Sequence, residues 1–238
     1  MLKYLISMLL VLTFIGAPSF ANDIYITQSG DNLDLDITQD GQDNEFGDST
    51  TDASLTGDLM TFSITQTGNF NKIDIEIDGN NYTGTWAFTG DSNIVDFTCD
   101  ATSGVNCETV TANITTNGDD NEFEIYIGET SDSEDLIANF TITGDNSQFI
   151  NNIDGTDANV TVVSNNSSSL ATTSVNSDEG NVITLDLDGN GDVNGHTITL
   201  NITGGGSTYN VTQSGIYDNM VDATFNGDSH DVDITQSD

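Results

Sequence analysis

Four oxygen-bearing side chains late in the sequence have the spacing that opens a calcium-binding loop. They are Asp186, Asp188, Asn190 and Asp192. Carboxylate and amide oxygens in the pattern D-x-[DN]-x-[DN]-G are typical ligands of Ca²⁺ in an EF-hand. The twelfth position is Thr197 instead of the bidentate glutamate, and the flanking residues alternate like strands. The sequence therefore indicates either one incomplete Ca²⁺ site or an acidic turn, and it predicts no other cofactor.

Glutamine and asparagine recur at matching positions and form a second set with a chemical role. The motif Q-x-G-x-x-N is complete at Gln39 and at Gln66. Amide side chains stacked in register can hydrogen-bond to one another along a β assembly. The predicted ladder residues are Gln28, Gln39, Gln66, Gln213, Gln236, Asn44, Asn71, Asn93, Asn121 and Asn219. The alternative is that these amides satisfy turn backbone groups inside a monomer.

The remaining reactive residues are few. Cys99 and Cys107 lie close together in a segment that interrupts the sequence rhythm, which in an exported protein predicts a local disulfide. The chain has no arginine, two lysines and two histidines. Such a sequence offers few candidates for a general base or an oxyanion stabiliser, so we predict no enzymatic activity.

The elements that position these residues are short strands separated by glycine turns. Gly57, Gly68, Gly79 and Gly90 are 11 residues apart, and each follows a run of alternating apolar and polar residues. Alternation is the period of a strand, and a strand plus a turn repeated at fixed length indicates stacked coils. We predict an all-β fold, a β-solenoid of strand-turn-strand coils with about 22 residues per coil and 11 per half. The predicted turn glycines are Gly30, Gly41, Gly57, Gly68, Gly79, Gly90, Gly118, Gly144, Gly155, Gly204, Gly215 and Gly227.

The domain organisation that we predict is simple. Residues 1–21 have a positive start, an apolar stretch too short to span a bilayer and small residues before position 22, as in a secretory signal peptide. Residues 22–238 form one repeat domain, with a disulfide-stapled insertion near 98–108. The formal net charge is −37, which excludes nucleic acids and anionic membrane surfaces as partners. Membrane insertion is not expected either.

The Q-x-G-x-x-N motif with alternating apolar positions after it resembles the curlin repeat. Its best copies begin at Gln39 and Gln66, and partial copies lie near Gln28, Thr116, Gln213 and Phe225. The resemblance implies coils that stack into functional amyloid, as in bacterial curli fibres. It also implies secretion and nucleation partners and a location outside the bacterial cell, or on its surface.

From the resemblance and the predicted fold we expect a secreted structural protein that polymerises head to tail for biofilm matrix or adhesion. Strand-like alternation begins at Asp23 and continues to Gln236, so both predicted ends present strand edges to another copy. The first alternative is a monomeric solenoid adhesin that binds Ca²⁺ or glycans. The second is an ice-binding solenoid, since flat T-x-T ladders such as Thr141-Ile-Thr143 can order water.

Overall fold

The computed structural model describes residues 22–48, 50–99, 108–127, 133–135, 137–144, 147–156, 159–165, 169–176, 182–188, 196–203, 207–214, 220–227 and 229–237. These residues form strands and turns without a helix. The described part of the chain accordingly holds no apolar helix of membrane-spanning length.

Two parallel sheets face each other across one core. In the described residues, sheet 1 contains twelve strands: β1 (Asn22–Ile24), β2 (Thr27–Ser29), β4 (Asn44–Phe46), β5 (Ala53–Thr56), β7 (Phe70–Asp78), β9 (Ser92–Cys99), β11 (Asp120–Ile127), β12 (Ser133–Glu134), β14 (Ser147–Thr156), β16 (Ser169–Asn176), β18 (His196–Thr203) and β20 (Met220–Asn226). Sheet 2 contains nine: β3 (Asp34–Asp40), β6 (Met60–Thr67), β8 (Tyr82–Thr89), β10 (Thr111–Asn117), β13 (Ile137–Thr143), β15 (Asn159–Asn165), β17 (Val182–Asp188), β19 (Ser207–Ser214) and β21 (His230–Ser237).

The chain crosses between the sheets at successive turns, so each coil adds one row to each sheet. Residues one coil apart face each other in parallel register. Asn71 faces Asn93, 22 residues later, whereas Asn93 faces Asn121, 28 residues later. The predicted β-solenoid is confirmed. The predicted coil length of about 22 residues holds for the first of these two coils and is exceeded by the second.

Alternate side chains on each strand point between the sheets and form the core. Trp86 of sheet 2 packs edge-on against Phe97 of sheet 1, with ring centroids 5.3 Å apart. The ring centroid of Tyr82 lies 5.1 Å from that of Phe62 and 5.8 Å from that of Phe97. A Cβ at Gly84 would lie 2.1 Å from the Tyr82 hydroxyl oxygen. Trp86 and Tyr82 therefore fit on the same strand because the position between them is a glycine.

Most of the predicted turn glycines directly follow the last residue of a strand. These are Gly30, Gly41, Gly57, Gly68, Gly79, Gly90, Gly118, Gly144 and Gly227. The prediction for Gly155 is wrong, because this residue lies inside β14 and faces Ser133 of the short strand β12. That additional pairing extends β14 through Thr156. Gly204 and Gly215 lie outside the described residues.

Gly79 explains why this turn position requires glycine. Its φ is +148°, a conformation that side-chain-bearing residues rarely adopt. A Cβ at Gly79 would also lie 1.9 Å from the carbonyl oxygen of Gly57, one coil earlier. Backbone conformation and coil-to-coil contact thus both exclude a side chain.

Candidate assembly site

The asparagines at one turn form a continuous hydrogen-bonded ladder inside the solenoid. The Nδ2 of Asn44 donates to the Oδ1 of Asn71 at 2.9 Å. Asn71 donates to Asn93, and Asn93 donates to Asn121, each at 2.8 Å. All four side chains are buried. Four of the predicted asparagines are thus brought into one ladder, and the fifth, Asn219, lies outside the described residues.

Local sequence explains why these asparagines point along the stack. Each stands three residues after a turn glycine, and Asn71, Asn93 and Asn121 donate back to the carbonyl oxygen of that glycine. Asn93 Nδ2, for example, also donates to the carbonyl oxygen of Gly90 at 3.2 Å. One amide therefore closes its own turn and bonds to the next coil, which combines the two roles that the sequence left as alternatives.

Sequence reasoning missed the first member of this ladder. The Nδ2 of Asn22 donates to the Oδ1 of Asn44 at 3.1 Å. The signal was present, because Asn22 precedes Asn44 by 22 residues, the expected length of one coil. It was overlooked because no turn glycine precedes Asn22 at the motif spacing.

The predicted glutamine ladder is divided into two separate pairs. The Nε2 of Gln66 donates to the Oε1 of Gln39 at 2.7 Å, and Gln213 faces Gln236 in register. The column between the two pairs holds Phe88, Thr116, Ile142, Ser164 and Leu187. Glutamine thus occupies this column only near the two ends of the described stack.

The prediction for Gln28 as a ladder residue is wrong. Gln28 lies in β2 of sheet 1 and faces Leu55, whereas the other predicted glutamines lie in sheet 2. Its Nε2 donates instead to the carbonyl oxygen of Gly30 at 2.9 Å. The error has a simple origin, because Q-x-G can end a strand of either sheet.

A second turn ladder runs along the opposite side of the solenoid. The backbone N–H of Asp58 donates to the Asp31 side chain at 3.0 Å, and that of Asn80 donates to the Asp58 side chain at 2.9 Å. The backbone N–H of Glu108 continues the series to Asn80 Oδ1 at 3.0 Å. The signal for this ladder is the acceptor residue directly after the glycine, as in Gly57-Asp58 and Gly79-Asn80.

The outermost strands leave two edges of the stack without a neighbouring strand among the described residues. We call the outer edges of β1, β2 and β3 the leading edge, and those of β20 and β21 the trailing edge. Val232 and Ile234 in β21 are 38% and 43% exposed, although their column-mates Tyr209 and Val211 are fully buried. Core positions therefore become accessible at the trailing edge.

Comparison with known proteins adds no further guide to function. No family model, curated protein or solved structure matches this chain. What the molecule does must therefore be inferred from its geometry and charge.

The outer face of sheet 1 carries a column of stacked carboxylates. Asp74, Asp96 and Glu124 face one another in successive coils, and Lys72 Nζ lies 3.5 Å from the Asp74 carboxylate. Burial, followed by the charges of Asp52 and Asp96, raises the pKa of Asp74 to about 6. Burial and the charge of Glu124 also raise the pKa of Asp96. The column is thus a site of proton uptake.

We expect the protein to become more stable as pH falls through 6 because Asp74 binds a proton more tightly when folded. An unfolded aspartate titrates near 4, so this stabilisation is complete below about pH 4 and is lost as pH rises through 6. Asp74→Asn should raise the unfolding free energy at pH 7 by about 1–2 kcal/mol and flatten its pH dependence. Urea denaturation followed by Trp86 fluorescence between pH 4.5 and 7.5 measures both effects.

Asp119→Asn is the matched control for this prediction, since Asp119 is exposed in a turn. It removes the same formal charge without touching the acidic column. Equal stabilisation by both variants would show that net charge, not the stacked carboxylates, sets the pH dependence.

The outer face of sheet 2 is uncharged over four neighbouring strands. We call the outward residues of β6, β8, β10 and β13 the threonine face. They are Thr61, Ser63, Thr65, Thr67, Thr83, Thr85, Ala87, Thr89, Thr111, Asn113, Thr115, Asn117, Ile137, Asn139, Thr141 and Thr143. In a chain with a net charge of −37, acidic residues are thus segregated away from this surface.

A shallow groove of about 200 Å³ lies on sheet 1 beside the asparagine turn. The exposed side chains of Phe70 and Ile94 flank Lys72 there. The Lys72 ammonium already pairs with Glu45 at 3.6 Å and with Asp74. The groove therefore offers an anionic ligand no free positive charge.

The predicted calcium and disulfide residues are described only in part. Asp186 and Asp188 lie in β17, whereas Asn190 and Asp192 fall outside the described residues. In the parts of the chain that the structure describes, no group of three or more acidic, histidine or cysteine side chains could hold a metal ion. Cys99 is buried at the end of β9 and is disulfide-bonded, and Cys107 lies outside the described residues.

Proposed function

We propose that this chain is a secreted bacterial structural protein whose copies stack into curli-like extracellular fibres for biofilm matrix or adhesion. Assembly itself is the mechanism, without substrate turnover. The observation that carries the proposal is the pair of edges, leading and trailing, that no strand of the described residues covers. A strand edge with unpaired N–H and C=O groups is a template for another strand.

Both edges offer the apolar surface that stacking would bury. Ile24 and Leu35 at the leading edge and Val221 and Phe225 at the trailing edge are only partly buried, although they pack against the core. An isolated edge coil has core on one side only, and addition of another coil would complete it. The asparagine ladder supports the same reading, because its coil-to-coil bonds can repeat without limit.

The disulfide supports export of the chain. Cys99 is disulfide-bonded, and disulfides persist in oxidising compartments such as the periplasm and the cell exterior. The segment 1–21, which we propose is a signal peptide, would direct the chain there.

Incubation of purified residues 22–238 tests the proposal. We expect thioflavin-positive, detergent-resistant fibres in which X-ray fibre diffraction shows a meridional spacing of about 4.8 Å. A folded protein that remains a monomer at high concentration, in low salt and in high salt, would refute it.

A proline at the trailing edge provides a specific block to assembly. Ile234→Pro removes a backbone donor and places a rigid ring in β21, so fibre growth should slow at least tenfold. The matched control is Val163→Thr on β15, an exposed change away from both edges. Equal growth of the proline variant, the control and the parent would rule out growth through β21.

The threonine face favours a second candidate function, which is binding to ice. Neighbouring strands lie about 4.8 Å apart and alternate residues about 6.8 Å apart, so hydroxyl and methyl groups form a regular array on a flat surface. Thermal hysteresis in a nanolitre osmometer tests this function. Thr85→Lys with Thr115→Lys should abolish any hysteresis while leaving fibre formation intact, and wild-type protein without hysteresis excludes the candidate.

A further inference from the structure

The outermost strands of sheet 2 carry nearly the same sequence. Strand β3 reads D-L-D-I-T-Q from Asp34 to Gln39, and β21 reads D-V-D-I-T-Q from Asp231 to Gln236. The two aspartates lie on the outer face, and the apolar residues and glutamine lie at core positions. The leading edge and the trailing edge thus present matching strands to each other.

We propose that copies join with β21 of one molecule on β3 of the next in a single register, and that stacked carboxylates hold this joint closed to assembly at low ionic strength. The proposal rests on the proposed self-assembly and specifies its partner as a second copy. In this register Ile234 faces Ile37, Thr235 faces Thr38 and Gln236 faces Gln39.

The glutamine column favours this register. Gln213 faces Gln236 at one end of the molecule, and Gln66 donates to Gln39 at the other. Joining β21 to β3 would therefore unite the two pairs into one ladder of four glutamines. Gln213 Oε1 is buried and accepts no hydrogen bond from the described residues, so the column holds an unsatisfied acceptor one strand from the trailing edge.

Sheet 1 is compatible with the same register. The core column that begins at Ile24 passes through Phe46 and Ile73 and ends at Val221. The joint would therefore place Val221 of one copy against Ile24 of the next. A shift of one residue would turn every core side chain outward. Registers shifted by an odd number of residues are therefore excluded.

Charge opposes the joint at two points. Asp231 would face Asp34 and Asp233 would face Asp36 across one strand spacing of about 4.8 Å. Like charges directly opposite each other destabilise a strand pair, and the screening length is about 8 Å at physiological ionic strength.

Inside the molecule, sheet 2 avoids this arrangement. Asp34 and Asp36 face Thr61 and Ser63, and Asp231 faces Thr208. In every register described for sheet 2, an acidic residue faces an uncharged neighbour. Among the described residues, stacked aspartates would thus occur in this sheet only where two copies meet, so salt that screens them should favour association.

Neutralising the aspartates of one edge tests whether carboxylate repulsion holds the joint closed. For Asp231→Asn with Asp233→Asn, the lag before fibre growth in low salt should shorten at least tenfold, and the acceleration by NaCl or MgCl₂ should largely disappear. The control is Asp91→Asn with Asp119→Asn, two exposed turn residues away from both edges, which should keep the salt dependence of the parent. If both double variants respond to salt alike while fibres still form, repulsion between these carboxylates does not control assembly. The proposed self-assembly would be unaffected by that result.

Oxidative cross-linking tests the register. A mixture of Thr38→Cys and Thr235→Cys proteins should give an intermolecular disulfide, since facing residues of paired strands lie about 4.8 Å apart, within the Cα separation that a disulfide bridges. Thr38→Cys mixed with Asp233→Cys, two residues out of register, should cross-link at least fivefold less. Equal yields would overturn the register. Absence of any fibre or cross-link up to 1 M salt would instead refute the proposed function.

Discussion

Replacing Asn93 with alanine is expected to lower the unfolding free energy by about 3–5 kcal/mol, because it breaks the middle of a buried amide ladder. Asn93 accepts a hydrogen bond from Asn71 and donates to both Asn121 and the Gly90 carbonyl. Alanine removes these bonds, so the buried Oδ1 of Asn121 and the Gly90 carbonyl oxygen lose the Asn93 donor, and Asn71 Nδ2 keeps only its backbone acceptors. Each such group costs roughly 1–3 kcal/mol.

Asn69→Ala is the matched control for Asn93→Ala. Asn69 lies in the equivalent turn one coil earlier and is exposed. Its loss should change the unfolding free energy by less than about 0.5 kcal/mol. Urea denaturation followed by Trp86 fluorescence gives both values. Two equal losses would mean that turn propensity, not the ladder, accounts for the asparagine at this position.

Gly90→Val is expected to destabilise the fold by more than about 3 kcal/mol, because the coils touch at this position. A Cβ at Gly90 would lie 1.6 Å from the carbonyl oxygen of Gly68, one coil earlier. Relief of that overlap requires the two turns to separate, which would stretch the hydrogen bond from Asn71 Nδ2 to Asn93 Oδ1 beside them. Chemical denaturation or thermal melting by circular dichroism measures the loss.

The control for Gly90→Val is Asp91→Val, which adds a branched side chain at the next, exposed position of the same turn. It should cost less than about 1 kcal/mol. A well-folded Gly90→Val protein of parental stability would contradict the close coil-to-coil contact.

The solenoid could be predicted from the sequence because its two strongest determinants are local. Alternation of apolar and polar residues indicates which side chains face the core, and a glycine after each run indicates the position of the turn. The asparagine ladder followed from the same pattern, since an amide three residues after the glycine reaches back over its own turn. Asn93 and Gly90 are the clearest case.

The assignment of residues to sheets can be predicted only where the turns keep their regular length. Gln28 lies 11 residues before Gln39, which is the predicted half of a coil, so the repeat itself predicts different sheets for them although both stand in a Q-x-G motif. The coil from Asn93 to Asn121 has 28 residues, and such changes of length cannot be counted from the sequence alone. The turn prediction for Gly155 fails for a different reason, because the short strand β12 supplies a pairing partner, Ser133, that the glycine pattern does not indicate.

The segregation of charge between the two outer faces was visible in the sequence only after the strands had been paired. Outward residues of β6 and β8 are uncharged, whereas Asp74 and Asp96 stack on sheet 1. The net charge alone gives no information on where the acidic residues lie on the surface. The coil geometry converts the same residues into an acidic column on sheet 1 and a neutral stretch over β6, β8, β10 and β13 of sheet 2.

Parallel stacking has a directional consequence. Because all neighbouring strands of the two sheets run the same way, the leading and trailing edges are chemically different. The amide ladders also point in opposite senses, with asparagine donors directed toward the trailing edge and the Gln66 donor toward the leading edge. A filament built from such units would be polar, with a fast tip and a slow tip, and a cell that anchored one tip could control elongation from the other.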